Sequence, residues 1–155
     1  MSVSLTGKDT IAIGSRGLAP RIFADMADGD IGVLEFPNNL VEAKTGKNGN
    51  TICAYNSTGK VVTFTVRVIR GSADDKYLNG EMNRYLLDPA AYTLIDGEIV
   101  KRIGDGEGTI TNDVYSLDGG VVQKMPAVKE NVEGDTEQAV TVWQIIFANS
   151  DRGIS

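Results

Sequence analysis

The stretch VVTFTVRVIRGSADDKYLN (residues 61–79) decides how the chain is read. Its first ten residues alternate. Val62, Phe64, Val66 and Val68 point to one side, and Val61, Thr63, Thr65 and Arg67 to the other, because side chains alternate across a strand. One face is a core face and the other is polar. Gly71 ends the strand, and Ser72 is placed to cap a helix by accepting the backbone N–H of Asp75 or its neighbour. Asp74 and Asp75 fall in the first turn, where the helix dipole favours negative charge. Leu78, Met82, Tyr85 and Leu86 recur at helical spacing, which predicts one apolar stripe on a helix at Ala73–Leu87. Asp88-Pro89 closes it. Gly80 lowers helix propensity in the interior of this segment, so a close backbone approach is the expected reason for it.

Working outward, TICAYN (residues 51–56) reads as a strand and STGK (57–60) as a turn, predicting a hairpin over 51–70. Before it, residues 38–50 read as a polar loop holding Gly46 and Gly49, long enough to suggest a role of its own. Strands are also expected at 9–13 and at 30–36, the latter stopped by Pro37. Downstream, strands at 97–103 and 109–117 flank the turn GDGEG, and DGG reads as a turn before a strand at 121–128. An acidic segment (129–138) precedes AVTVWQIIFAN (139–149), where Trp143, Ile145 and Phe147 share one strand face and are assigned to the core. These elements imply one mainly β domain over residues 1–155. The expected architecture is an antiparallel β-sandwich or small barrel, one flanking α-helix at about 73–87, and an extended loop at 38–50.

Composition narrows the function. The 155 residues include 18 glycines and four prolines, fitting a turn-rich β protein large enough to bury a core. There is no histidine and a single cysteine, Cys53. That removes histidine-dependent triads, Cys–His dyads and the usual zinc sites. Cys53 lies in a strand-like run and reads as a small core residue. The net charge is -6, and the longest basic run is Lys101-Arg102. Tight duplex binding needs clustered cations, so DNA gripping is excluded. No apolar run approaches the roughly 20 residues of a membrane span. The N-terminus lacks the apolar core of a signal peptide, so a cytoplasmic location is expected.

Motif tests fail in informative ways. YNSTGKVV has Ala54 where a phosphate-binding loop needs its first glycine, and Val61 follows Lys60 where that loop needs Ser or Thr. Residues 105–113 offer alternating oxygen donors but lack the glycine of a calcium loop at its sixth position and an acid at its twelfth, which is Ser116. Nothing singles out a general acid and base. No enzyme, metal or cofactor is expected.

The order of these features resembles the inner tail tube proteins of contractile-tail phages. The resemblance is carried by MADGDIGVLEF, KTGKNGN, the opening strand-to-helix stretch, GGVVQKMPAV and VTVWQIIFA, spanning roughly residues 10–149. Related folds occur in the tubes of contractile bacteriocins and in the secreted ring protein of type VI secretion systems. The resemblance implies a non-enzymatic virion structural protein whose copies form hexameric rings. The rings stack into a tube that conducts DNA without reading its sequence. It implies self-association and contacts with the tail sheath, baseplate and tape-measure proteins, assembly in the host bacterial cytoplasm and a final place in the virion tail. Glu35, Thr63, Thr65 and Arg67 are then candidates to line the lumen. Lys44, Lys47 and Asn48 are candidates for contacts between subunits. The alternative is a stand-alone carbohydrate- or receptor-binding β-sandwich, for which Trp143 would have to be exposed.

Overall fold

The computed structural model describes residues 3–5, 9–15, 21–26, 32–128, 130, 134 and 136–155. The protein is mainly β, with antiparallel pairing throughout and one helix flanking a sandwich-like core. In chain order the strands are β1 (Ser4–Leu5), β2 (Thr10–Ser15), β3 (Arg21–Ile22), β4 (Gly32–Glu35), β5 (Val41–Thr45), β6 (Thr51–Tyr55) and β7 (Val62–Ile69). Helix α1 (Ala73–Leu87) follows, then β8 (Ile95–Gly104), β9 (Ile110–Lys124), a 3-10 turn at Thr136–Ala139 and β10 (Val140–Ile154).

The main sheet runs β3-β2-β8-β9-β10-β7-β4, with β1 added beside β8. It curls without closing into a barrel by strand pairing. Its two ends face each other across the core: a Cβ built at Gly32 of β4 would meet Ile11 of β2 at 3.1 Å. Residues 21–26 span the gap. The Phe23 amide donates to the Ile11 carbonyl and the Ile69 amide to the Asp25 carbonyl. Met26 also forms a bridge with Val68.

β7 behaves as its alternation requires. Val62, Phe64, Val66 and Val68 are fully buried, as are Trp143, Ile145 and Phe147 opposite them on β10. The cap of α1 also forms as read, the Asp75 amide donating to Ser72 Oγ at 3.3 Å. The helix stripe is narrower than expected. Leu78 and Met82 are buried, Tyr85 is half-buried, and Leu86 is 58% exposed. Glu81 takes the inward place instead, accepting from Tyr92 Oη and Arg84 at 2.8 Å each, which ties the helix to the segment after it. Gly80 faces open space, so it marks no close approach.

Asp74 does more than complement the helix dipole. It is fully buried and accepts from Arg21 Nε and from the amides of Ala24 and Asp25, at 2.8–2.9 Å. One carboxylate therefore fastens the crossing segment to the helix. Asp75 does a second such task, accepting from Trp143 Nε1 at 2.9 Å and from the Gly71 amide at 2.8 Å.

Four further expectations are corrected. The hairpin is β5–β6, not 51–70: both edges of β7 are taken by β4 and β10, so β6 has no place beside it. The polar loop 38–50 is accordingly half strand, with a tight turn over 46–50 in which Gly49 adopts φ +81°. DGG is no turn. β9 runs straight through it as one strand with a bulge, Gly119 at φ +68° and Gly120 packed under the Phe147 ring. Cys53, read as a core residue, is exposed. The strand expected to begin at 30 starts at Gly32, its first two residues and part of the preceding turn lying outside the described residues. Most of the acidic segment 129–138 also lies outside them.

Candidate assembly surfaces

The polar side of β7 is the first candidate surface. Pairing brings Glu35 opposite Thr63, Val33 opposite Thr65, Gln144 beside Thr65 and Val142 beside Arg67. Glu35, Thr63, Thr65 and Arg67 therefore share one face, directed away from the core. That face is mixed, because Val33, Val142 and Ile146 alternate into it from the neighbouring strands. β10 buries one side, while Val142 on the other is 39% exposed.

The second surface is the β5–β6 hairpin. Its register is Val41↔Tyr55, Glu42↔Ala54, Ala43↔Cys53, Lys44↔Ile52 and Thr45↔Thr51. Alternation puts Val41, Tyr55, Ala43, Cys53, Thr45 and Thr51 on one face, and Glu42, Ala54, Lys44 and Ile52 on the other. Lys47 and Asn48 sit in the connecting turn. Every residue of both strands is exposed, Ile52 at 71% and Tyr55 at 73%. Hairpin residues 41–55 hold two lysines and one glutamate, so the rest of the chain carries thirteen basic and twenty acidic residues. The projection is weakly positive on an acidic body.

The root of the hairpin is firmly held. The Asn56 amide donates to the Leu40 carbonyl, and Asn56 Oδ1 accepts from the Thr58 amide and hydroxyl. Gly59 packs so closely that a Cβ there would lie 2.7 Å from the backbone of Asn39 and Leu40. Beside it a cavity of about 450 Å³ is framed by Phe36, Leu40, Lys60, Tyr115, Asp151 and Arg152. Lys60 pairs with Asp151 at 2.9 Å, and that hydrogen bond raises the Lys60 pKa. Arg152 grips Asp113 through two bonds of 2.9 Å and stacks over Tyr115. The Arg152 hydrogen bond holds the Asp113 carboxyl below its usual range.

Trp143 is 1% exposed, so it supplies no platform for a sugar ring. In the GDGEG turn the Asp105 carboxylate accepts from the amides of Glu107 and Thr109, which lowers its pKa and makes it a turn residue. Among the described residues no group of three or more His, Cys, Asp or Glu could hold a metal ion, and no helix is long and apolar enough to cross a membrane.

One feature escaped the sequence reading. Asp96, Glu98 and Asp118 gather on the outer side of the β8–β9 bulge, at two adjoining shallow cavities of about 240 and 320 Å³. The signal was present in IDGEI (residues 95–99), where the acids alternate with Ile95 and Gly97. Only the β8–β9 register shows that Asp118 joins them.

No family model matches the sequence, and no curated protein matches it. Solved structures do share the fold. A chain in the cryo-EM structure of the anti-feeding prophage cap, the tube terminating cap, aligns with a TM-score of 0.59 at 8% identity, covering 94% of this chain and 88% of that one. A chain in the six-fold symmetrised cryo-EM structure of the anti-feeding prophage baseplate aligns with a TM-score of 0.51 at 7% identity, covering 98% and 95%. At these identities the likeness is one of fold, extending over nearly the whole chain.

Proposed function

We propose that this chain is a structural subunit of a contractile phage-like tail, forming the inner tube as stacked hexameric rings. The observation that carries the reading is the β5–β6 hairpin. An isolated two-stranded hairpin is marginal in water, and this one exposes Val41, Ala43, Cys53 and Tyr55 on a single side, with no other described strand or helix paired to it. Such a face suits a neighbouring copy. The whole-length fold likeness to particle components of the anti-feeding prophage supports the same reading.

In this reading the protein is no enzyme and needs no cofactor. Glu35, Thr63, Thr65 and Arg67 face the lumen, and Lys44, Lys47 and Asn48 contact the adjoining subunit. Rings polymerise from a baseplate around a tape-measure protein, inside a sheath, in the host bacterial cytoplasm. DNA passes through the finished virion tail without sequence-specific contact, since a surface with few cations gives phosphates little to hold. Ring closure also hides the exposed edge of β4, which otherwise invites aggregation. Negative-stain microscopy of concentrated protein tests the reading. Rings or tubes about one subunit thick in the wall are expected, and monomers at every concentration would refute it.

A further inference from the structure

Resting on that assembly reading, we infer that the hairpin tip of one copy docks through Lys47, with Lys44 beside it, into the groove of a second copy lined by Asp96, Glu98 and Asp118. Two independent features meet in this contact. The hairpin is an exposed, positively tipped projection on a molecule of net charge -6. The groove is its electrostatic complement. Among the described residues none of its three carboxylates has a hydrogen-bond or ion-pair partner, and no basic side chain lines either cavity.

Like charges gathered without a partner repel one another, and a cation brought from outside relieves that repulsion. A lysine ammonium fits better than a guanidinium here. It is a compact charge with three donors, suited to carboxylates that surround it and not to one planar fork. The groove also has room for the aliphatic stem. Gly119 lines it without a side chain, and Ala12, Leu94 and Ala148 supply apolar walls. The bulge at Gly119 is what opens the strand surface there. Donor and acceptor are different patches of the same chain, so the contact is head-to-tail and propagates into a closed ring or a stack.

The test uses charge-swapped full-length chains. Lys44→Glu/Lys47→Glu makes a chain with an acidic tip and an acidic groove. Asp96→Lys/Asp118→Lys makes one with a basic tip and a basic groove. Each alone should stay dispersed where the wild type assembles, its critical concentration raised by about tenfold or more. An equal mixture should co-assemble, because tips and grooves then alternate in sign. Circular dichroism melts establish that each variant is folded. Carbodiimide treatment of wild-type assemblies should join Lys47 to Asp96, Glu98 or Asp118 of another copy, identified by mass spectrometry of mixed isotope-labelled chains. Wild-type assemblies without that cross-link, variants that assemble alone, or a mixture that fails to restore assembly would each overturn the contact and leave the tube reading standing. A wild type that never assembles removes the tube reading itself.

Discussion

Strands β7 and β5 both alternate apolar with polar residues, yet β7 buries one whole side and every residue of the β5–β6 hairpin strands stays exposed. Val62, Phe64, Val66 and Val68 lie under α1 and against β10. Val41, Ala43, Cys53 and Tyr55 project into solvent. Alternation states that a face needs cover and leaves open whether the cover comes from the same chain. In β7 the cover is internal and contributes to folding. In the hairpin it is external and is available to drive association.

The largest test of this contrast is a pair of truncations in dilute, monomeric protein. Phe64→Ala should cost about 3–5 kcal/mol in a urea melt, the range for a fully buried phenylalanine. Tyr55→Ala should cost less than about 0.5 kcal/mol, as at an ordinary surface site, while abolishing or weakening assembly. A Tyr55→Ala loss above about 1 kcal/mol in the monomer would mean that the hairpin packs on its own body, and the contrast would fail.

Asp74 tests the internal side of the comparison differently, because it secures cover through hydrogen bonds and not through apolar area. Asp74→Ala leaves the Ala24 and Asp25 amides without their acceptor and Arg21 without its partner. A cost of about 3 kcal/mol is expected, moderated because Arg21 is partly exposed and can be rehydrated. Hydrogen exchange should then rise first at Phe23 and Ile69, whose amides tie residues 21–26 to β2 and β7. Protection unchanged at those two amides would show that Asp74 is not what holds the crossing segment.

Next in size is Gly120→Ala. The added Cβ would overlap the Phe147 ring, which is itself fully buried. Overpacking of this kind costs about 1–3 kcal/mol. A neutral result would mean that the bulge in β9 relaxes easily, making the groove beside it a softer surface than described.

How far the sequence could be read follows from what each residue depends on. The β7 face, the Ser72 cap and the Trp143 strand rest on neighbours within a few residues, and all were legible. Asp74 was not, since a first-turn acid looks the same whether it faces water or a distant segment; only the crossing of 21–26 decides. DGG looked like a turn because two glycines usually mark one. In the fold they serve a bulge and the approach of Phe147, which comes from another strand. Leu86 fitted the helical stripe, but the stripe is covered only as far as the sheet extends beneath it. Cys53 obeys the burial tendency of its type only if the hairpin has cover, which the single chain does not provide. For the candidate surfaces, the grouping of Thr63, Thr65 and Arg67 was legible from alternation, Glu35 joins them only through the β4–β7 register, and the acidic groove was hidden by the β8–β9 register.

Thr141→Val sharpens the comparison from inside the core. Thr141 is 1% exposed, and its hydroxyl has no hydrogen-bond partner among the described residues. Its neighbour across the strands is the buried Val68. Replacing a buried unsatisfied hydroxyl with a methyl of similar shape should raise stability by about 1 kcal/mol. A loss would show that the hydroxyl finds a partner in solution.

The smallest effect belongs to Gly80, where the two kinds of cover can be separated at one position. The residue lies on the exposed side of α1, its φ is not positive, and a Cβ there would meet nothing within 4 Å. Nothing in the single chain requires glycine. Gly80→Ala should therefore raise monomer stability by up to about 1 kcal/mol, the difference in helix propensity. Assembly gives the second reading. If the hairpin side is where association happens, the variant should assemble at the wild-type concentration. A variant that melts higher and yet fails to assemble would place a neighbour's backbone against this helix in the particle. Gly80 would then be kept small for an external contact, and the externally covered surface would extend from the hairpin to α1.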